Sequence, residues 1–366
     1  MITPDSEAAL AEVVAQATTP FALLGGGTRT IGRPVVATPL STRALTGIAL
    51  YEPGALTLVV RAGTRLADIT ATLAAEGQRL SFEVPDLRAL LSRDGDSTIG
   101  GVVAANASGP RRVQAGACRD SLIGLRFVDG TGTVIRNGGR VMKNVTGYDL
   151  VKLLAGSHGT LGVLTELAFK LLPIPETATT LALTGLDDAT AIAALSAALT
   201  SPFEVSGAAH LPGQATYLRL EGFAPSVAYR AGCLQSLLSR FGAVDTDPHD
   251  PWPAIRDVAP FHGQAGDVWR LSVKPGDAPA LVARAGVRAA LYDWGGGLVW
   301  LLTDEGRDLR AALGPFTGHA TLMRASAATR ARIAPFHPEP APLAALTHGL
   351  RARFDPRALF NPGLMS

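Results

Sequence analysis

The sequence predicts an α+β fold on three observations. Up to Pro173, short apolar or β-branched runs alternate with helical patterns. From Glu176 the order becomes strand, helix, two strands, helix, which suits an antiparallel sheet backed by helices. Hydrophobic residues make up 47% of the 366 residues and charged residues only 17%, the balance of a compact globular protein with room for about two domains. Pro173 and Pro175 close the first stretch and mark the expected boundary between them.

Pro4 and Asp5-Ser6 open an amphipathic helix with Glu7 and Glu12 among its apolar positions. Phe21 to Leu24 reads as a strand entering three glycines, and residues 34–38 (PVVAT) as a second strand. Residues 56–63 (LTLVVRAG) form a β-branched run. Residues 65–80 follow as a helix with Leu66, Ile69 and Leu73 on one face and Gly77 near its end. In 122–139 two strands flank Asp129-Gly130, a hairpin signal. Asp149 caps a short helix that Gly156 stops, and 162–175 is a strand ending in two prolines.

Past the boundary, 179–186 is a strand and 187–201 an Ala-rich helix. Strands at 204–211 and 215–223 come next, then a helix at 226–242 that buries Cys233 among Leu234, Leu237 and Leu238. Residues 269–276, 291–304 and 319–325 supply further strands. In the tail, Asp355 reads as an N-cap with Pro356 at the first helical position.

Several function classes drop out. A net charge of +2 with no basic run among aromatics argues against nucleic acid. Cys118 and Cys233 belong to no CxxC pattern, so neither a disulfide framework nor an iron–sulfur or zinc site can be built from them, which suits a reducing cytosol. The seven histidines are scattered without HxH or HxxxH spacing, and no metal is expected. The first residues read as a helix rather than a signal peptide, and no apolar run approaches the ~18 residues of a bilayer span. The expected location is cytoplasmic, with docking on the inner membrane face through a partner left open.

The informative segments are rich in glycine. Gly25, Gly26 and Gly27 follow a buried strand and precede Thr28, Arg29 and Thr30. Such a loop can point bare N–H groups at phosphate oxygens, or it is only a mobile turn. Neither GxxxxGK[ST] nor GxGxxG occurs, which removes the P-loop and weakens a nicotinamide site. A second segment, TIGGVVAANASGPRR (98–112), forms a wall nearly free of side-chain bulk, with Thr98, Asn106 and Ser108 as polar groups within it. The wall suits a large flat ligand, or tight strand–helix packing.

LLGGGTRTIG, residues 56–85, TIGGVVAANASGPRR, residues 141–173 and FDPRALFNPG together resemble the FAD-binding domain of the vanillyl-alcohol oxidase/p-cresol methylhydroxylase family. GPRR, VMKNVTGYDL and GHATLMR are similar to the small FAD-binding subunits of bacterial glycolate oxidases. The resemblance covers 20–173 and 350–364, and matches the middle only locally. It implies a two-subdomain FAD-binding domain at 1–174, a cap domain at 175–328 and a segment, 329–366, that packs back on the first. It also implies FAD. Backbone groups of Gly25, Gly26, Gly27, Thr28, Arg29 and Thr30 would take the diphosphate. Pro85 would end the segment approaching the flavin. Thr98, Gly100, Gly101, Ala104, Asn106, Ser108 and Gly109 would line the ribityl and ring side. Asp120, Gly162 and Val163 would lie near the adenosine half, and Asn361 by the ring. No His or Cys follows Gly27, so the flavin is expected to be held noncovalently.

Oxidation of a 2-hydroxy acid needs an Arg for the carboxylate and a base near the hydroxyl. His319 and Arg324 are the best pair, although five positions apart on a strand they face opposite ways. Arg111-Arg112 reads equally as an anion holder or a solvated pair. Lys143, Tyr148 and Asp149 match the family pattern; Asp149 is expected to cap and Tyr148 to pack. Flavin features without a strong substrate constellation fit an accessory FAD subunit, partnered by a catalytic flavoprotein and an iron–sulfur subunit. A self-sufficient hydroxy-acid dehydrogenase and a non-catalytic scaffold are the alternatives.

Overall fold

The computed structural model describes residues 1–139 and 147–365. Lys143 and the rest of 140–146 lie outside the described residues.

Strands β1 (Phe21–Leu24) and β2 (Thr38–Ser41) form a parallel pair. A six-stranded sheet holds β3 (Ile48–Glu52), β4 (Thr57–Arg61), β5 (Gln78–Leu80), β6 (Leu122–Val128), β7 (Val134–Gly138) and β8 (Val163–Pro173). Its order is β3-β4-β8-β6-β7, with β5 pairing the end of β8, and its pairs are antiparallel. β8 is central, and all of its residues except Lys170 and Pro173 are buried or half-buried.

An eight-stranded antiparallel sheet follows: β9 (Thr177–Thr184), β10 (Gly207–Leu211), β11 (Ala215–Gly222), β12 (Asp245–Asp247), β13 (Asp267–Val273), β14 (Ala289–Asp293), β15 (Leu298–Thr303) and β16 (Gly318–Arg324). The order is β12-β9-β11-β10-β14-β15-β13-β16. Period-2 alternation gives it two different faces. Leu181, Leu218, Trp269, Leu271, Val299 and Leu301 pack under the helices Asp188–Leu199, Ala224–Leu238 and Ala278–Ala285. On the other face, Val268, Leu291, Leu298, Trp300 and Leu302 meet Ile31, Leu87, Leu90 and Leu91 of the first half. The second face therefore looks at the glycine-rich loops.

Several boundaries differ from the sequence reading. Residues 34–37 are irregular, and the strand begins at Thr38, where it can pair with β1. The 65–80 helix stops at Ala75; Gly77 takes φ +62° and turns the chain into β5. Residues 291–304 are two strands joined through a turn at Trp294–Gly296. Asp355 starts no helix. The helix Ala341–Phe354 ends before it, and its carboxylate accepts from Leu359 N (2.9 Å) and Phe360 N (2.7 Å) in a turn. Tyr148 is exposed rather than packed. Cys233 sits half-buried beside the helix's buried stripe of Val227, Ala231, Leu234 and Leu238, not within it.

Ser6 caps the first helix, Glu7–Ala15, by accepting from Ala9 N, while Leu10 and Val14 bury its inner face. Asp149 caps Leu150–Leu154 by accepting from Lys152 N (3.2 Å). At the β6–β7 turn Asp129 accepts from Thr131 N and Thr133 N.

Candidate cofactor site

β1 runs into a cavity of about 330 Å³, within the usual size range of small-molecule sites. Its lining comes from the 22–35 segment, the short helix Ile99–Ala104, the loop at 158–164 and the tail at Asn361 and Leu364. Thr98 explains how these parts meet. Its Oγ1 caps the helix by accepting from Gly101 N (3.4 Å) and also accepts from Gly26 N (3.3 Å).

The three glycines have separate causes. A Cβ on Gly25 would lie 2.5 Å from Thr98 Oγ1, and one on Gly26 only 1.8 Å from the Asp96 carbonyl oxygen. Those two allow the loop to close on the 96–98 segment. Gly27 has open space around it but takes φ +73°, so it turns the chain. Beyond it, among the described residues, the backbone N–H groups of Gly27, Thr28, Arg29 and Thr30 make no hydrogen bond within the chain. Unpaired N–H groups at a cavity wall invite an anionic ligand.

Arg29 adds to this. Its Nη2 donates to Ser97 Oγ (2.8 Å), yet its buried Nε has no partner. Burial pulls its pKa down to about 10, against the opposing pull of Asp86, Cys118 and Asp257. A ligand phosphate would supply the missing acceptor.

The tail closes the other side. Asn361 Oδ1 accepts from Leu23 N (2.7 Å), and its Nδ2 donates to the His158 carbonyl (2.9 Å). Asn361→Ala should cost about 1–3 kcal/mol, because Leu23 N–H and His158 C=O lose partners together. Urea unfolding of the purified variant measures this. His158, at φ +50°, lines the cavity with its ring against Phe336, and burial pushes its imidazole down to about 4, so it is neutral.

Of the residues expected to hold a cofactor, Gly25 to Thr30, Thr98, Gly100, Gly101, Ala104, Gly162, Val163 and Asn361 line this cavity. Pro85, Asn106, Ser108, Gly109 and Asp120 lie outside its lining. Asp120 is occupied as a cap, accepting from Ala117 N (2.7 Å), and Asn106 Oδ1 accepts from Arg119 N. His158, Arg93 and Arg330 line the cavity without having been singled out. The GSHGTLG stretch carries the signal for His158; nothing local marks the two arginines.

His319 and Arg324 do not form a joint site. Arg324 donates to the carbonyls of Phe261 (2.9 Å) and Gln264 (2.6 Å), so its guanidinium ties loops together. Arg111 and Arg112 also part company. Arg111 pairs with Glu221 (2.8 Å) at the junction of the two halves, whereas Arg112 lies over the Trp294 ring.

A family model described as an FAD binding domain matches residues 1–138. Glycolate oxidase subunit GlcE of Escherichia coli (strain K12) is 36% identical over 369 residues, covering 99% of this chain and 97% of that protein. The chain belongs to this family of FAD-dependent oxidoreductases. Glycolate oxidase subunit GlcD of Bacillus subtilis (strain 168) is 41% identical over 126 residues, 34% of this chain and 25% of that one. Among solved structures, p-cresol methylhydroxylase with substrate bound superposes with a TM-score of 0.69 at 14% identity, over 99% of this chain and 88% of that one. An alkyldihydroxyacetonephosphate synthase gives 0.72 at 16% identity, over 98% and 76%. At such identities the likeness is one of fold.

The cofactor of this FAD-dependent oxidoreductase family fits the cavity on the chain's own features, four unpaired N–H groups and the orphaned Arg29 Nε at its wall; Gly100 answers to packing, since a Cβ there would meet Ala62 at 2.8 Å.

Proposed function

We propose that this chain is the FAD-binding subunit of a glycolate oxidase complex that oxidises glycolate to glyoxylate and passes electrons to an iron–sulfur partner. The full-length likeness to the Escherichia coli subunit carries the reading, and the cavity supports it. Bound FAD supplies the two-electron acceptor for the hydride on the hydroxyl-bearing carbon.

The chain's own residues have holding roles. The N–H groups of 27–30 and the Arg29 guanidinium receive the diphosphate. Gly101 and Ala104 present little bulk on the cavity wall, Gly100 lets their helix close on Ala62, and Asn361 locks the tail across the cavity. Thr28-Arg29-Thr30 offers no nucleophile for a covalent link. Among the described residues no helix is long and apolar enough to cross a membrane, so membrane contact would come through partner subunits.

The test is reconstitution. Purified chain incubated with FAD and desalted should keep a stoichiometric flavin that acid precipitation releases into the supernatant. Flavin that stays in the pellet would refute noncovalent binding. A chain that retains none would refute the reading as a whole. Co-expression with companion-subunit candidates, followed by pull-down and a flavin count, checks the complex.

A further inference from the structure

Where the eight-stranded sheet faces the glycine wall, two arginines share one indole. Arg112 Cζ lies 4.5 Å from the Trp294 ring centroid and Arg270 Cζ 5.3 Å from it. Arg112 comes from the first half, as the last residue of the wall segment, and Arg270 from β13. Trp294 joins the two halves, because its Nε1 donates to the Gly109 carbonyl (3.1 Å). Among the described residues neither guanidinium makes a hydrogen bond or an ion pair. The neighbouring junction arginines, Arg79, Arg111 and Arg219, are each matched by Glu83 or Glu221.

Two histidines border the pair. In the β13–β16 register Ser272 faces His319 and Arg270 faces Thr321, so Arg270 and His319 are diagonal neighbours on one sheet face. His337 Nδ1 accepts from Ala320 N (3.3 Å), which leaves its Nε2 as the proton-bearing atom. His319 keeps an exposed edge and His337 is half-buried; partial desolvation holds both imidazoles below their ordinary value, and the nearby arginines lower them further. The acid closest to Arg270, Asp293, accepts from Trp294 N (2.7 Å) and is itself pushed up to about 7, chiefly by burial. Asp120, the acid that acts on Arg112, is exposed and accepts from Ala117 N, so among the described residues no carboxylate is bonded to either arginine. The group also adjoins the cofactor cavity, since Phe336, next to His337, packs on the ring of His158.

We propose that Arg112 and Arg270, set against Trp294, form a subsite for the carboxylate of a small acid, so that this chain engages substrate itself and does not only relay electrons. Two like charges left unpaired at a domain junction are costly without an anion, and a guanidinium pair matches a carboxylate in shape and charge. His319 and His337, both neutral, are placed to hydrogen-bond the rest of the acid. The proposal rests on the hydroxy-acid reading above, which names the acid's class.

Oxalate, which offers carboxylates but no oxidisable C–H, is the probe. It would be titrated into the flavin-loaded chain, following tryptophan fluorescence and the flavin spectrum, with sodium sulfate at equal ionic strength as control. Arg270→Gln and Arg112→Gln should each weaken oxalate at least about tenfold, the loss of one charge-assisted pair, while keeping their flavin; Arg353→Gln, on the exposed terminal helix, should bind as the parent does. Absence of oxalate binding by the parent, or affinities within twofold of parent in both junction variants, would overturn the subsite. If Arg270→Gln fails to fold, the half-exposed Arg112→Gln decides. Should the parent retain no flavin, fluorescence titration of the flavin-free chain still tests the subsite, while the FAD reading fails separately.

Discussion

Gly26→Ala should abolish flavin retention, whereas Gly27→Ala should not. A methyl group on Gly26 would sit 1.8 Å from the Asp96 carbonyl oxygen and 2.8 Å from its carbon, both backbone atoms that cannot rotate away. The loop must lift off the 96–98 segment, breaking the Gly26 N to Thr98 Oγ1 bond and moving the four unpaired N–H groups out of line. Overpacking of this kind costs about 1–3 kcal/mol, and the upper end is roughly a hundredfold in FAD affinity. At Gly27 no atom lies within 4 Å of the added methyl, and only the positive φ opposes it. That strain is about 1–2 kcal/mol, charged to stability and not to the ligand. Flavin absorbance per chain after desalting separates the two. Equal flavin in both variants would mean that the loop does not hold the diphosphate.

Glu221→Gln should destabilise the protein by about 3–5 kcal/mol at neutral pH, because it strands buried guanidiniums. Glu221 and Arg219 come from β11, while Arg79, Glu83 and Arg111 come from the first half, and all five side chains are largely buried. Arg111 and Arg79 both donate to Glu221, and Arg219 holds Glu83 at 2.9 Å. Burial by itself raises the Glu221 carboxyl, but the bonds from Arg111 and Arg79 and the charges of Arg111 and Arg219 outweigh it and hold it far below the usual range. Glu83 is held low in the same way. A carboxyl depressed on folding contributes stability that is complete above its unfolded value, about 4.3, and is lost as pH falls from there toward the folded value. The deficit of Glu221→Gln should therefore be full at pH 7 and shrink at pH 3. Urea unfolding at both pH values measures it; a deficit under about 1 kcal/mol at pH 7 would assign the junction to packing alone.

Residue type made some of this legible and left the rest hidden. Gly25 to Gly27 stand out in sequence as a bare-backbone run and Thr98 as a polar group within the glycine wall, whereas Asn361 is pointed to only by the resemblance of the tail; all of them line the cavity. The arginine pair has no such signal. Arg112, Arg270 and Trp294 meet only when a loop from the first half, β13 and the β14–β15 turn are folded together, and no spacing in the chain encodes that meeting. His319 and Arg324 misled for the converse reason: proximity in sequence made a pair, but the register points His319 toward Arg270 and gives Arg324 to carbonyls. Gln78 to Leu80 are too few to show a strand period on their own, and only their pairing with β8 separates them from the helix that ends at Ala75. Asp355 accepts backbone N–H groups as a cap does, but those of a turn and not of a helix.

Asn361 bonds to Leu23 across 338 positions, and Phe21 N donates to Leu359 O beside it. The loop that follows Leu23 is therefore walled in only once that distant segment has folded back on it. A cavity closed by so long-range a contact should be completed late in folding, after the contacts that are local in sequence.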